Sequence, residues 1–546
     1  MAPSTLLYFV IGYFILLFIV AWYTSQNSNN DSFFIGNRNS NWMLVAFGMI
    51  GTSLSGVTFV SVPGSVGNIG REGLLPNALG YFQVVIGYFL GYLVVAFVLL
   101  PLYYKLNLTS IYNYLKQRFG NWAYKTGASF FILSRTVGAT ARLYLVINIL
   151  HIFILSRLDI PFWVSAAVVL IMILLYTFEG GVKTIVYTDT LQTTLMIVGL
   201  VVCIGYILTH LNFSVTDAVN AMEAKSLTKI FNYDIKSKGF FIKQIIGGAF
   251  ITIAMTGLDQ EMMQKNISVK NLKDSQKNML SFSVILVFVN LLFLLLGGLL
   301  YLYAYNHGAA FKTILVDGQP VWAFMQNGLN ITGDNLFPSV ALGLLQTMPS
   351  IISIIFIIAL ISALFPSADG ALTALTSTFC MDILGFKERT DLNEKQKRSI
   401  RLTVHITMAV IFFISILIFR EINSRSIIDK ILDLAGYTYG PLLGLFSFGI
   451  LTKRILPNSY RIALIAIVSP ILCYLLQVNS PHLFNGYVIG IEILIINGLL
   501  TFMGLLIISK KNNQNNINFK LRLYICRLKF RHLFKMTLIV NSQTIN

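Results

Sequence analysis

The residues able to do chemistry in this chain are few and sit in apolar surroundings. Phe47 to Gly67 reads FGMIGTSLSGVTFVSVPGSVG, and Gly51, Thr52, Ser53, Ser55, Gly56 and Thr58 crowd its first half. Ser362 to Asp382 reads SALFPSADGALTALTSTFCMD. Proline has no N–H to offer the carbonyl one turn earlier, so Pro366 frees the Ser362 oxygen beside the Ser367 hydroxyl and the Asp369 carboxylate. Carbonyl, hydroxyl and carboxylate oxygens are hard ligands, suited to a small hard cation and unsuited to copper or zinc. Arg135 and Arg142 stand seven apart, on one helix face two turns from each other. They can bind an anion or pair with carboxylates. Asp189 falls in VYTDTLQT, and Asp259 and Gln260 fall in TGLDQEMMQK. Structural readings stand beside these: a small-residue face for close helix packing at 47–58, a serine-softened proline kink at Pro366, and a helix-end or paired role for each carboxylate.

Such residues are expensive unless the elements around them justify the cost. The chain has 546 residues, 56% of them hydrophobic and 11% charged, with a mean hydropathy of +0.73. Repeated apolar runs at that level define a polytopic, all-α membrane protein. The net charge of +18 then reports orientation, because Lys and Arg gather in cytoplasmic loops; no nucleic-acid partner is implied. The four cysteines and six histidines are scattered. No metal spacing, disulfide framework, nucleophile constellation or phosphate loop is visible, so neither an enzyme nor a cofactor is expected.

Hydropathy predicts about 13 spans, near 6–24, 43–66, 81–104, 127–155, 160–178, 185–209, 240–263, 280–305, 350–382, 402–420, 430–451, 462–478 and 486–509. No Lys or Arg precedes the first run, Leu6 to Tyr23, and no A-x-A-like cleavage site follows it, so it reads as a retained span with the N-terminus outside. Alternation then places about 27 basic residues inside, Lys265 counted in an inner loop among them, and about 10 outside. Lys243 lies near an outer helix end and can snorkel. Glu179, Gly180 and Gly181 mark a tight inner turn. Residues 306–349 are expected to form a short helix and loop over an outer vestibule, and 386–401 a charged cytoplasmic connector. The transporter-like membrane domain would be residues 1–510, followed by a basic cytoplasmic tail, 511–546, that either lies on anionic lipid or is a ragged terminus.

A helix that opens at mid-membrane exposes carbonyls to cations and amides to anions, as in many secondary transporters. With that in view, the chain from about residue 30 to residue 455 resembles the sodium:solute symporter family. The pieces are DSFFIGNRNSNW, SGVTFVSVPG, LPLYYKLNLTSIYNYLKQRFG, GGVKTIVYTDTLQT, LDQEMMQK, the stretch ending in MDIL, and GYTYGPLLGLFSFGILTKR, in that order along the spans. The resemblance implies a leucine-transporter-like bundle of two inverted five-helix repeats, here 43–209 and 240–451, with broken first helices at spans 2 and 7.

It also implies a sodium ion between spans 2 and 9, held by the carbonyls of Gly51, Leu54 and Ala363 and the hydroxyl of Ser367. The family usually has two adjacent hydroxyl residues there, and the first is Pro366 here, so one ligand is missing unless the Ser362 carbonyl or water compensates. In some members a second sodium lies near Asp189, and Asp189 with Asp369 would line such an inner site or the exit path. Ser53, Ser55, Thr58, Asp259 and Gln260 are the implied substrate contacts, joined by Arg135 if it faces the cavity. The implied activity is sodium-coupled import of a small sugar, amino acid or carboxylate by alternating access, in the plasma (inner) membrane and as a monomer. A proton-coupled symporter of the same fold, motivated by Pro366 and the buried aspartates, is the alternative. A membrane sensor is a third reading, and no signalling domain is visible after the last span.

Overall fold

Within lipid a backbone can satisfy its own polar groups only as helix or closed barrel, and the long apolar runs of this chain take the helical route. The computed structural model describes residues 3–26, 33–34, 38–67, 78–177, 181–316, 319–342, 348–386, 388–422 and 427–511. The principal helices are α1 (Pro3–Ser25), α2 (Trp42–Ser53), α3 (Gly56–Ser65), α4 (Tyr81–Lys105), α5 (Asn121–Leu155), α6 (Phe162–Thr177), α7 (Gly181–His210), α8 (Phe241–Gly257) and α9 (Gln260–Ile267). They continue as α10 (Leu272–Asn306), α11 (Ser350–Ile383), α12 (Glu394–Ile422), α13 (Ile427–Leu451), α14 (Arg461–Leu483) and α15 (Ile493–Ile508). Among the described residues nine helices are long and apolar enough to cross a membrane, and two bent pairs pass the same test together. The helices α6 and α15 are shorter apolar segments of 16 residues each. A helix thus lies at each expected position, nine to eleven of them long and apolar enough to cross among the described residues, with ends shifted by up to about eight residues where helices such as α5 and α12 run on into polar sequence.

Both expected breaks are present. α2 and α3 meet at 57° and α8 and α9 at 64°. The first break arises because Leu54 (ψ 80°) and Ser55 (ψ 173°) leave helical geometry in a stretch where glycine and hydroxyl residues make this inexpensive. At the second, Asp259 turns extended and its carboxylate accepts from the N–H groups of Glu261 (2.9 Å) and Met262 (3.3 Å), capping α9. The two pairs are bound into the bundle by close crossings. α4 packs along α8, and α7 packs along both α2 and α11. At the first crossing a Cβ on Gly87 would lie 2.1 Å from the Ile245 carbonyl and one on Gly248 2.5 Å from the Val84 carbonyl, so only glycine allows these backbones to approach.

The segment 306–349 departs from expectation. It forms a three-stranded antiparallel sheet, β1 (Ala310–Val316), β2 (Gln319–Gln326) and β3 (Leu329–Asn330), before a short helix at Leu336–Ala341. AFKTILV and QPVWAFMQ are rich in β-branched and aromatic residues, and Phe311 and Phe324 (4.7 Å) pack with Tyr301 and Tyr305 beneath the sheet. The region is anchored to α3 by Tyr301, whose hydroxyl donates to the Gly64 carbonyl at 2.9 Å. We call this end of the bundle the hairpin face and the other, bearing the segment 384–393, the connector face. The tail beyond Lys511, and Glu179 and Gly180 of the expected turn, lie outside the described residues.

Candidate functional site

A cavity opens where the two breaks meet. Its wall includes Thr52, Ser53, Leu54, Ser55 and Thr58 from the α2–α3 break, Thr252, Met255 and Thr256 from α8, and Met262 from α9. Tyr81, Tyr88 and Tyr92 of α4, Arg135 and Arg142 of α5 and Asn290 of α10 complete the polar lining. Broken helices place unpaired backbone groups at its edge. α2 ends at Ser53, so the carbonyls of its last turn, Gly51 among them, have no helical partner downstream. Of the expected substrate contacts, Ser53, Ser55, Thr58 and Arg135 do line this cavity.

Asp259 and Gln260 do not, which corrects the expectation. Asp259 is spent on capping α9 and on the hydroxyl of Tyr439, which donates to it at 2.7 Å. Gln260 turns toward the connector face, accepting from the Ile111 N–H (3.0 Å) and donating to the Thr109 carbonyl (3.0 Å). The bend of the chain at Asp259 sends both side chains away from the cavity, which a motif position could not disclose.

The two arginines differ. Arg135 is buried and paired with Glu261, with Asp259 at 3.9 Å. Among the described residues no carboxylate pairs with Arg142, two turns further along the same face and on the cavity wall. The fourth expected span, within α5, thus satisfies both alternatives at once: one guanidinium neutralised, one presented.

The ninth expected span, within α11, lies against both halves of the broken pair. A Cβ on Gly51 would sit 3.2 Å from Pro366 Cγ, and one on Gly56 would sit 3.8 Å from Leu364 Cα. Gly51, Leu54, Ala363 and Ser367 are thereby gathered at one helix junction, with Ala363 and Ser367 fully enclosed. Ser367 donates its hydroxyl proton to the Leu364 carbonyl at 3.0 Å, leaving its lone pairs available as acceptor or ligand. Ser362 is buried at the same junction.

Asp189 and Asp369 are both completely buried. Asp189 Oδ2 is 2.6 Å from the ammonium of Lys265, which also donates to Thr52 Oγ1 at 2.6 Å. Lys265 was expected in a solvated loop; its side chain is 3% exposed, because α9 folds back into the bundle after the break. Asp369 accepts from the Tyr176 hydroxyl at 2.8 Å and from the Gly370 N–H. Lys243, expected to snorkel, is instead buried at the hairpin face, donating to the carbonyls of Ser237 and Val488 at 3.1 Å each. Glu261, Lys265, Thr193 and Tyr439 were not singled out from sequence as site residues. The spacing of Glu261 and Lys265 in QEMMQK, four apart, was the one local signal of a charged pair.

At the connector face a second cavity is bounded by Ser110, Asn113, Lys116, Tyr124, Lys125, Asp382 and Glu388. Asp382 accepts from the hydroxyls of Ser110 (2.6 Å) and Tyr124 (2.7 Å), and Lys116 pairs with Glu388, holding that carboxyl below its usual range.

Two broken helices crossing at a polar cavity, with a hydroxyl-bearing third helix against the first break, define an alternating-access secondary transporter with a leucine-transporter-like bundle. The sequence pattern of the sodium:solute symporter family matches residues 33–460, and the chain belongs to that family. It is 22% identical to the sodium/sialic acid symporter NanT of Aliivibrio fischeri over 87% of this chain and 88% of that one. It is 25% identical to the bovine sodium-coupled monocarboxylate transporter 2, over 78% of this chain and 64% of that protein. Its fold is that of a Na+-coupled sialic acid symporter solved in a substrate-bound outward-open state, with a TM-score of 0.73 at 19% identity, over 93% of this chain and 99% of that one. The protein is therefore a multi-pass membrane symporter coupled to sodium, and not an enzyme.

Proposed function

We propose that the chain carries a small organic carboxylate into the cell together with sodium. The observation that carries the reading is Arg142, a cavity-facing guanidinium without a carboxylate partner among the described residues. Its planar fork matches a carboxylate with two parallel hydrogen bonds. The hydroxyls of Ser53, Ser55, Thr58 and Thr252 and the Asn290 amide, whose Oδ1 has no partner, would serve the hydroxyl or amide groups of the solute. Relatives named for sialic acid and for monocarboxylates, all of them acids, support the same class.

Sodium would be held at the junction of α2 and α11 by the carbonyls of Gly51, Leu54 and Ala363 and the hydroxyl of Ser367. The carbonyl that Pro366 frees at Ser362 would stand in for the missing hydroxyl. An ion bound there draws α11 onto the end of α2 and shapes the cavity wall at Ser53 and Ser55. Solute then favours closure over it, and sodium leaves down its gradient and the potential, which supplies about 2.3 kcal/mol per charge per 100 mV. The excess of Lys and Arg at the connector face supports placing that face in the cytoplasm and the N-terminus outside, in the plasma (inner) membrane. A cavity built by a single chain supports function as a monomer, with lipid as its surroundings.

The test is uptake by proteoliposomes of labelled carboxylates, neutral sugars and amino acids, with and without an inward sodium gradient. Carboxylates are expected to accumulate only with the gradient. Preference for a neutral sugar would overturn the substrate class, and uptake driven by a pH step in sodium-free buffer would overturn the coupling.

A further inference from the structure

Lys265 occupies a niche built as if for a metal cation. Its ammonium lies 2.6 Å from Asp189 Oδ2, 2.6 Å from Thr52 Oγ1 and 3.9 Å from Glu261 Oε1. These oxygens come from three different helices, α7, α2 and α9, and they are the hard donors an alkali ion takes. The niche also has more ligand capacity than the ammonium uses. Asp189 Oδ1 and Glu261 Oε1 are both buried and accept no hydrogen bond among the described residues. Packing shows the same specificity, since a Cβ on Gly370 would fall 2.3 Å from Glu261 Oε1, so the carboxylate is seated against bare backbone.

A buried carboxylate without a compensating charge is strongly unfavourable, so this group of oxygens needs a cation in every state in which it stays dry. Lysine supplies one on a flexible stem that cannot diffuse away. We infer that the Lys265 ammonium is a resident cation filling an alkali-ion niche formed by Thr52, Asp189 and Glu261, so that this niche takes up sodium only when the lysine is removed. The inference deepens the sodium-coupled reading: with the niche occupied from within, the ion that travels with the solute is the one between α2 and α11. Asp189 is then a counter-ion to the protein itself, and it ties the connector-side halves of both broken helices to α7.

The experiment measures equilibrium binding of radioactive sodium to the purified full-length chain, and the dependence of its unfolding temperature on sodium concentration. The wild type is compared with Lys265→Met and with the double variant Asp189→Asn/Lys265→Met. Methionine keeps the stem and vacates the charge. Lys265→Met is expected to bind about one sodium more per chain than the wild type, and its unfolding temperature is expected to rise more steeply with sodium by the corresponding increment. The double variant, which lacks both charges, is expected to return to the wild-type number. An unchanged number in Lys265→Met overturns the inference. If Lys265→Met is folded only in the presence of salt, recovery by sodium and not by choline at equal ionic strength is the expected result, and failure in both overturns it. A wild type that binds no sodium would sink the transport coupling, while the difference between wild type and variant would still decide the niche.

Discussion

The side chains at the cavity divide by whether their charge is already answered. Arg135 is committed to Glu261 and Asp259, and Arg142 is not, so the two should respond differently to substitution. Arg142→Gln removes a charge-assisted pair worth about 2 kcal/mol and is expected to raise the half-saturating carboxylate concentration roughly 30-fold, with sodium dependence little changed. Arg142→Lys should rescue only part of this, because an ammonium lacks the planar fork. Ser367→Ala is expected to act on the other axis. Losing one ligand hydroxyl, worth about 1 kcal/mol, should raise the sodium concentration for half-maximal uptake roughly fivefold; unchanged sodium dependence would remove Ser367 from the ion site. Asp259 is a cap and not a solute ligand. Asp259→Ala is therefore expected to lower the unfolding temperature by the loss of a helix cap, about 1 kcal/mol, without altering preference among solutes in a competition assay.

Breaks, crossings and caps position those side chains. The α2–α3 break was legible because glycine and hydroxyl residues are dense where an anchor would use leucine, whereas the α8–α9 break was expected only through the family resemblance. The sheet at 310–330 was present in the β-branched and aromatic content of its strands, but a short segment between the spans of a helical protein carries no span-length hydropathy signal to draw attention to it. The crossing of α2 with α7 and α11 makes a sharper test. A Cβ on Gly51 would meet Thr193 Oγ1 at 2.3 Å and Pro366 Cγ at 3.2 Å. Gly51→Ala is expected to push α2 off α11 and raise the sodium concentration for half-maximal uptake about 5- to 150-fold, from an overpacking cost of about 1–3 kcal/mol. The double variant with Thr193→Ala, which removes the nearer obstacle, should recover much of it; a double variant no better than the single one would place the strain elsewhere.

For the whole molecule, the proposed ion and solute sites draw on helices from both halves of the chain, so ligands of the folded state should stabilise the bundle as one unit. Sodium at about 100 times its dissociation constant adds about 2.7 kcal/mol, and the unfolding temperature in detergent is expected to rise with sodium and not with choline. The connector face is closed by groups well separated in sequence. Gln260 grips Thr109 and Ile111, and Asp382 holds Ser110. Gln260→Ala is expected to loosen that closure, read as faster labelling of a cysteine placed at Asn113, a residue lining the cavity there.

The amino-acid sequence by itself determined the membrane habit, the apolar segments, the position of the first break and, through the order of its motifs, the family, whose resemblance implied the second break. Only the tertiary structure decided which charges meet. Lys265 lies in a stretch polar enough to pass for a loop, 76 positions from Asp189, and no local pattern pairs them. Electrostatic pairing in a low-dielectric interior depends on distance in space, and at the bend that brings the lysine inward Asp259 is engaged by Tyr439 and Gln260 by Thr109 and Ile111.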